Sequence, residues 1–216
     1  MYQVISSGSK GNAVIYHGSI MVDCGVPYSA LKPYVKGLKV VLLTHRHLDH
    51  FNIATIRRLS FERPSLRFGA GEWMLPLLDG IRNVDILTIG QLYDYGQLKL
   101  QPVKLYHDVP NCGYRIFANN TKIFHATDTA HLKGITATNY DLYAIEYNYD
   151  EDTIYDIIEQ QIQRGQYAYQ KGSINSHLSE QQAKEFIFKN RGEHSQILRL
   201  HETSTLSITR PSTVRQ

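Results

Sequence analysis

A short segment of the chain holds an unusual density of side chains that can bind a metal ion. Its residues, in order, are Thr44, His45, Arg46, His47, Leu48, Asp49 and His50. His45 and His47 alternate with Arg46 at the end of an apolar run, so both can project to one side. Asp49 and His50 follow where the chain is expected to turn into a helix. Imidazoles and a carboxylate that converge at such a turn suit divalent ions of the zinc, manganese or iron type.

Three further residues share one placement, at or just after the end of an apolar run. They are His107, Asp128 and His201. A lone histidine at the end of a strand is usually a surface residue. Strand ends that open on one edge of a sandwich, however, would let all three side chains converge with the segment 44–50. The shared placement therefore favours one metal centre built from separate parts of the chain.

The elements that must position these residues are short strands mixed with helices. Apolar and β-prone runs predict strands at 3–5, 13–16, 20–22, 39–43, 66–68, 84–87, 98–106, 113–118, 122–125, 142–146 and 196–200. Helical spacing and capping residues predict helices at 27–36, 52–59, 72–78, 150–163 and 179–189. Since no linker or internal repeat is evident, we expect an α/β or α+β sandwich in a single domain, residues 1–203. A tail rich in Ser, Thr and Arg follows at 204–216.

Two local signals within this pattern are more specific. The pair Asn119-Asn120 lies between two predicted strands and predicts a hairpin turn, because asparagine tolerates the left-handed conformation. Ser179 precedes a predicted helix and is a suitable N-cap. A Tyr-rich stretch, residues 140–169, is expected to pack half-buried on a helix and loop, although aromatic faces can also stack bases.

Composition sets broad limits on the class of protein. The chain has 216 residues and a formal net charge of +3, which neither demands nor excludes a polyanionic partner. Its two cysteines, Cys24 and Cys112, indicate a reducing, cytoplasmic setting better than a disulfide framework. The apolar run at the N-terminus is too short for a signal segment or a membrane span.

The segment 44–50 resembles the His-x-His-x-Asp-His signature of the metallo-β-lactamase superfamily. Four other segments resemble motifs of its phosphodiesterase branch in the same order: 7–12, 21–25, 107–116 and 127–129. That branch includes small exonucleases, RNase Z-like enzymes and phage anti-Pycsar phosphodiesterases. The resemblance spans residues 2 to about 203 and implies a metallo-β-lactamase αββα sandwich.

The resemblance also implies two divalent metal ions, with zinc or manganese expected. His45, His47 and His107 would bind one ion. The second would be bound by Asp49, His50 and His201, and Asp128 would bridge both. Such a pair of ions activates a water molecule and clamps the oxygens of a phosphodiester during in-line displacement. Asp49 could also orient the attacking water.

Two late histidines compete for the last ligand position. His177, in the stretch His177-Leu178-Ser179, is similar to a histidine of the tRNA 3′-processing nucleases that protonates the leaving oxygen. His201 ends the last predicted strand and better fits the final ligand motif. We therefore predict His201 as the ligand and His177 as the general acid, with the exchanged assignment as the alternative.

The resulting hypothesis is a metal-dependent phosphodiester hydrolase that acts on nucleic acid or on cyclic nucleotides. A compact chain of mild charge fits a small substrate, whereas basic residues near the signature would suit a polynucleotide: Arg57, Arg58, Arg63 and Arg67. The alternatives are hydrolysis of a lactone or thioester, and a non-catalytic binding module stabilised by metal. A homodimer is a further possibility, since dimers are common in such families.

Overall fold

The strands of the protein form two six-stranded sheets in the part that the computed structural model describes, residues 1–165 and 170–202. The first sheet contains β1 (Tyr2–Ser6), β2 (Ala13–Tyr16), β3 (Ile20–Val22), β4 (Val40–Leu43), β5 (Arg67–Ala70) and β6 (Val84–Ile86), in that order. The second contains β7 (Tyr93–Asp94), β8 (Leu98–Leu105), β9 (Asn111–Ala118), β10 (Thr121–Ala126), β11 (Leu142–Glu146) and β12 (Gln196–Leu200). Within each sheet the strands lie in sequence order, so the chain completes one sheet before it begins the other.

Helices cover the outer faces of both sheets. They are α1 (Tyr28–Leu31), α2 (Ile53–Glu62), α3 (Ile154–Gln163), α4 (Gln170–Ser176) and α5 (Glu180–Asn190), with a 3-10 helix at Glu72–Leu77. None of the helices in the described residues is long and apolar enough to cross a membrane.

Three apolar clusters hold these layers together. The central cluster lies between the sheets and includes Leu42 of the first sheet and Tyr114 of the second. A second cluster packs Ile56 of α2 against the outer face of the first sheet. The third packs Phe186 of α5 against Phe124 on the outer face of the second sheet. The layer order is therefore helix, sheet, sheet, helix, which confirms the predicted αββα sandwich.

Prolines explain where two helices differ from expectation. The helix expected at 27–36 is the single turn α1, because Pro33 lacks the N–H that a longer helix would use. The helix expected at 72–78 is a 3-10 helix that contains Pro76. Two elements were not predicted: β7 has only two residues, and α4 contains Gly172, a poor helix former.

The specific local predictions are confirmed. Asn119 and Asn120 turn between β9 and β10 with φ of 50° and 57°, as a tight hairpin requires. Ser179 caps α5 in a reciprocal capping box with Gln182. Cys24 and Cys112 are both buried and free.

Strand direction determines where the predicted ligands meet. β10, β11 and β12 are mutually parallel, and β8 and β10 are each antiparallel to β9, so these four strands end at the same edge. In the first sheet β3 and β4 are parallel and also end there. We call this side of the sandwich the ligand edge, and the opposite side the far edge.

Candidate metal centre

The first group of candidate ligands at this edge combines the end of β4 with the end of β8. The Nδ1 atom of His47 lies 3.2 Å from Nε2 of His45 and 3.2 Å from Nε2 of His107. The Oδ2 atom of Asp128, just beyond β10, is 3.6 Å from Nε2 of His45 and 3.8 Å from Nε2 of His107. These four residues are the first ligand set, and one donor atom from each lies within 4.8 Å of the others.

The second ligand set consists of Asp49, His50, Asp128 and His201, again with donor atoms within 4.8 Å of one another. The Oδ2 atom of Asp49 is 3.5 Å from Nε2 of His50 and 3.5 Å from Nε2 of His201. Asp128 reaches this set as well: its Oδ2 is 3.2 Å from Nε2 of His50, and its Oδ1 is 4.0 Å from Nε2 of His201. The carboxylate of Asp128 therefore faces both sets.

The chemistry of these donors fits divalent metal ions. Imidazole nitrogens and carboxylate oxygens are the ligands that zinc, manganese and iron share. His45 is completely buried, and burial lowers its pKa to about 2, so the ring stays neutral and keeps a lone pair for a metal ion. Converging nitrogen lone pairs gain nothing from one another, whereas a cation between them would satisfy them all.

Asp23 fixes the ring of His50 from behind. Its Oδ2 atom lies 2.7 Å from Nδ1 of His50, and its Oδ1 atom accepts hydrogen bonds from the Thr44 backbone N–H and hydroxyl at 3.0 and 2.9 Å. This keeps a proton on Nδ1 and turns Nε2 towards Asp128. Burial alone lowers the pKa of His50, but the charges of Asp128 and Asp23 outweigh it and raise the pKa well above its usual value.

His107 and His201, like His50, are oriented by a contact at the Nδ1 atom of the ring. The Nδ1 of His107 donates to the backbone oxygen of Ser176 at 2.8 Å, which leaves Nε2 free to bind a metal ion. The Nδ1 of His201 lies 2.9 Å from the side-chain amide of Asn148. Ligation through Nε2 of His201 requires a proton on Nδ1, and so requires Asn148 to present its amide oxygen there.

His177 lies beside this cluster and is held by a buried carboxylate. Its Nδ1 atom is 2.5 Å from Oε1 of Glu146, the last residue of β11, which is completely inaccessible to solvent. The other oxygen of Glu146 accepts from the backbone N–H groups of Thr129 and Leu178, at 3.0 and 3.2 Å. Burial lowers the pKa of His177, but the hydrogen bond and charge of Glu146 more than offset it and raise the pKa.

The two competing late histidines therefore differ in their surroundings. Their rings are stacked, with centroids 5.3 Å apart and an angle of 15° between planes. Only His201 directs Nε2 at both Asp49 and Asp128, whereas His177 is paired with Glu146. This arrangement favours His201 as the ligand, and the assignment stays a prediction.

The structure brings together all eight residues that the sequence singled out: His45, His47, Asp49, His50, His107, Asp128, His177 and His201. Sequence reasoning gave no role to Asp23, Glu146 or Asn148, which hold three of them in place. The available signal was position, since Asp23 and Glu146 are carboxylates at the ends of apolar strands. Burial of a carboxylate at such a position costs free energy unless hydrogen-bond donors or positive charges pair with it.

The fold and this edge together define a class of protein. The beta-lactamase superfamily domain matches residues 19–186, which is more than half of the chain. The protein therefore belongs to the beta-lactamase superfamily, whose members are mostly metal-dependent hydrolases. No curated protein sequence matches the chain.

Solved structures agree with this family. The metallo-beta-lactamase fold protein YhfI from Bacillus subtilis has a TM-score of 0.71 and 19% identity, over 94% of this chain and 86% of that one. Human tRNase Z, short form, has a TM-score of 0.66 and 16% identity, over 93% and 92%. A diphosphatase from the PhnP family has a TM-score of 0.63 and 15% identity, over 93% and 85%. At such low identity these likenesses show the fold.

Proposed function

We propose that this protein is a dinuclear, metal-dependent phosphodiester hydrolase whose substrate is a nucleotide or nucleic acid. The observation that carries the proposal is the pairing of His177 with buried Glu146, directly beside the two ligand sets. Hydrolysis of a phosphodiester needs a proton donor for the leaving oxygen, and a histidine with a raised pKa is suited to that task. A purely structural metal site has no use for such a donor.

The two ligand sets would each hold one divalent ion, with Asp128 shared between them. Zinc and manganese both fit this donor chemistry. When bound, the two ions would supply Lewis-acid stabilisation of the phosphodiester oxygens and lower the pKa of a water molecule.

The side chains around the ligand sets have separate tasks in this proposal. Since Glu146 holds Nδ1 of His177, the Nε2 atom carries the proton that passes to the leaving oxygen. The buried Glu146 also keeps the imidazole in one orientation. The carboxylate of Asp49 is about one-quarter exposed, so it can orient the attacking water as well as bind the second ion.

The names of two structural neighbours agree with phosphate chemistry. One is a tRNase and another a diphosphatase. Because identity to both is below 20%, they support the class of reaction and do not select the substrate.

The basic residues near the signature favour a small substrate over a polynucleotide, because three of the four are engaged in structural contacts. Arg58 donates to Glu62 at 2.8 Å. Arg63 donates to the backbone oxygens of Val35 and Leu38. Arg67 forms a two-pronged ion pair with Asp85. Arg58 and Arg67 are therefore each paired with a carboxylate, and Arg63 is held by backbone oxygens.

The position of Arg67 leads to the same conclusion. It is paired with Val40, the first residue of β4, whereas the candidate ligands follow Leu43 at the other end of that strand. At about 3.3 Å per residue, roughly 10 Å of strand separates Arg67 from the ligand edge. We therefore expect a cyclic nucleotide to be a better substrate than linear DNA or RNA.

Parallel turnover measurements test this proposal. The metal-loaded protein should hydrolyse bis-p-nitrophenyl phosphate and 3′,5′-cyclic nucleotides faster than linear DNA, RNA, a lactone or a thioester. The exposed His194 provides a matched control, since His194→Ala should keep wild-type rates while His177→Ala does not. Preferential turnover of the lactone or thioester would replace the phosphodiester proposal. Turnover of none would support a binding module.

A further inference from the structure

We infer that the loop Ser7–Asn12, here the N-terminal loop, positions the ligands of the second ion and not those of the first. Asn12 is its main positioning residue. This inference rests on the proposed dinuclear site, because it assigns an additional role to residues around the second ligand set. If so, a substitution in the loop would weaken metal binding at the second position without changing metal binding at the first.

The orientation of the Asn12 amide is determined by its neighbours. Its Oδ1 atom accepts the backbone N–H of Gly8 at 2.8 Å, and only an oxygen can satisfy that donor. The Nδ2 atom is therefore the donor, and it lies 3.1 and 3.2 Å from the backbone oxygens of Gly8 and Asp49, 3.3 Å from Oδ2 of Asp49 and 2.9 Å from Nε2 of His50. Asn12 is almost completely buried, so water does not compete for these contacts.

The backbone of the loop is bonded to the same turn. The Asn12 N–H donates to the backbone oxygen of Asp49 at 2.6 Å, and the Asn12 carbonyl accepts the N–H of Gly25 at 2.9 Å. Gly11 has φ of 142°, and a Cβ there would lie 2.8 Å from the oxygen of Gly25. Only glycine allows the loop to approach this closely.

The loop reaches the last ligand of the second set through its first residue. The hydroxyl oxygen of Ser7 accepts the backbone N–H of His201 at 2.7 Å. His201 has φ of 50°, a conformation that costs energy for a residue of this kind, and the bond to Ser7 helps to hold it. Asp49, His50 and His201 are thus all in contact with the loop.

The first ligand set has different supports. Among the described residues, His45 is held by the Thr44 hydroxyl at 2.9 Å and His107 by the backbone of Ser176 at 2.8 Å. Their hydrogen bonds do not involve residues 7–12. When His50 uses its Nε2 lone pair for a metal ion, the side-chain amide of Asn12 can still donate to Oδ2 of Asp49. The loop therefore acts on the second position alone.

Stepwise metal titration tests the inference without an activity assay. Metal-free wild-type protein, Asn12→Ala and Ser7→Ala are each titrated with Co²⁺, whose absorption reports binding, and with Zn²⁺ against a chromophoric chelator. We expect two binding steps in the wild type. In both variants the first step should be unchanged, and the second should weaken by about 10–100-fold, as is typical when a residue that supports a ligand is lost.

Ser9→Ala is the matched control, because Ser9 belongs to the same loop but is exposed. It should bind both ions as the wild type does. Thermal unfolding of each metal-free variant shows whether it is folded. If Asn12→Ala does not fold, Ser7→Ala still tests the inference, because it removes only a single hydroxyl. The inference is overturned if both folded variants keep the second step unchanged, or if both steps weaken equally. A wild type that binds fewer than two ions contradicts the proposed dinuclear site instead.

Discussion

The two edges of the sandwich use similar backbone conformations for opposite purposes. At the far edge, Asn119 and Asn120 adopt positive φ in an exposed hairpin, where the only requirement is a tight turn. At the ligand edge, Asp23, Asp128 and His201 adopt φ of 61°, 56° and 50° while almost completely buried. Non-glycine residues in this conformation are uncommon and carry a cost in energy. The far edge uses the conformation to reverse the chain, and the ligand edge uses it to aim side chains.

This contrast indicates how substitutions should behave. Side chains at the ligand edge share partners, so the loss of one leaves buried charges or donors without a partner. Those at the far edge form exposed pairs that water can replace. We therefore expect large effects on metal binding and catalysis at one edge, and small effects on stability at the other.

The largest effect is expected for Asp128→Ala. Its carboxylate faces both ligand sets, so its loss should remove metal from both positions. Turnover of bis-p-nitrophenyl phosphate should fall at least about 1,000-fold, because metal ions contribute several kcal/mol to the transition state. Metal content by mass spectrometry should fall in parallel. Retention of two ions with normal turnover would remove Asp128 from the centre.

His177→Ala should reduce kcat by about 100- to 10,000-fold, the usual contribution of a general acid or base. Metal content should stay at the wild-type value, because His177 is paired with Glu146 and not with Asp49. The comparison with His201→Ala is decisive. If His177→Ala lost an ion and His201→Ala did not, the two late histidines would have to exchange roles.

Asp23→Asn should weaken binding of the second ion by about 10–100-fold. Asparagine keeps the shape of Asp23 but has one acceptor oxygen for three donors, the Thr44 N–H, the Thr44 hydroxyl and the His50 ring. Asp85→Asn, the same chemical change in the carboxylate that pairs with Arg67, is the control and should leave metal affinity unaltered. Equal affinities in the two variants would show that Asp23 does not support His50.

The smallest effect is expected for Arg67→Ala at the far edge. The Arg67 side chain is 48% exposed, so its ion pair with Asp85 should contribute at most about 1 kcal/mol to the free energy of unfolding. Urea denaturation measures this change, and turnover should not change. A large loss of activity would mean that the far edge takes part in substrate binding, which would bring a polynucleotide back into consideration.

Much of the fold could be predicted from the sequence, because apolar runs of the right length and turn residues such as Asn119 act locally. The layer order followed from the resemblance and is confirmed. The residues that sequence singled out do converge at one edge, since strand direction forces the ends of β4, β8, β10 and β12 together. Their roles as ligands and proton donor stay predictions.

Features that depend on tertiary contacts could not be predicted. Glu146 and His177 are distant in sequence, and nothing local to either shows that they pair. The loop contacts of Asn12 are of the same kind. The Tyr-rich stretch was expected to pack half-buried on a helix and loop, whereas Tyr140, Tyr143 and Tyr147 are almost completely buried in the outer cluster beneath α5, with Tyr143 in β11. Tyr167, Tyr169 and the tail from residue 203 lie outside the described residues.

Anomalous diffraction from crystals grown with Mn²⁺ or Zn²⁺ would show directly whether two metal ions bind between the two ligand sets. We expect two peaks at the ligand edge, the first contacting Nε2 of His45, Nδ1 of His47 and Nε2 of His107. The second should contact Asp49, His50 and His201, and Asp128 should touch both. A single peak, or peaks away from these residues at full metal saturation, would contradict the dinuclear centre.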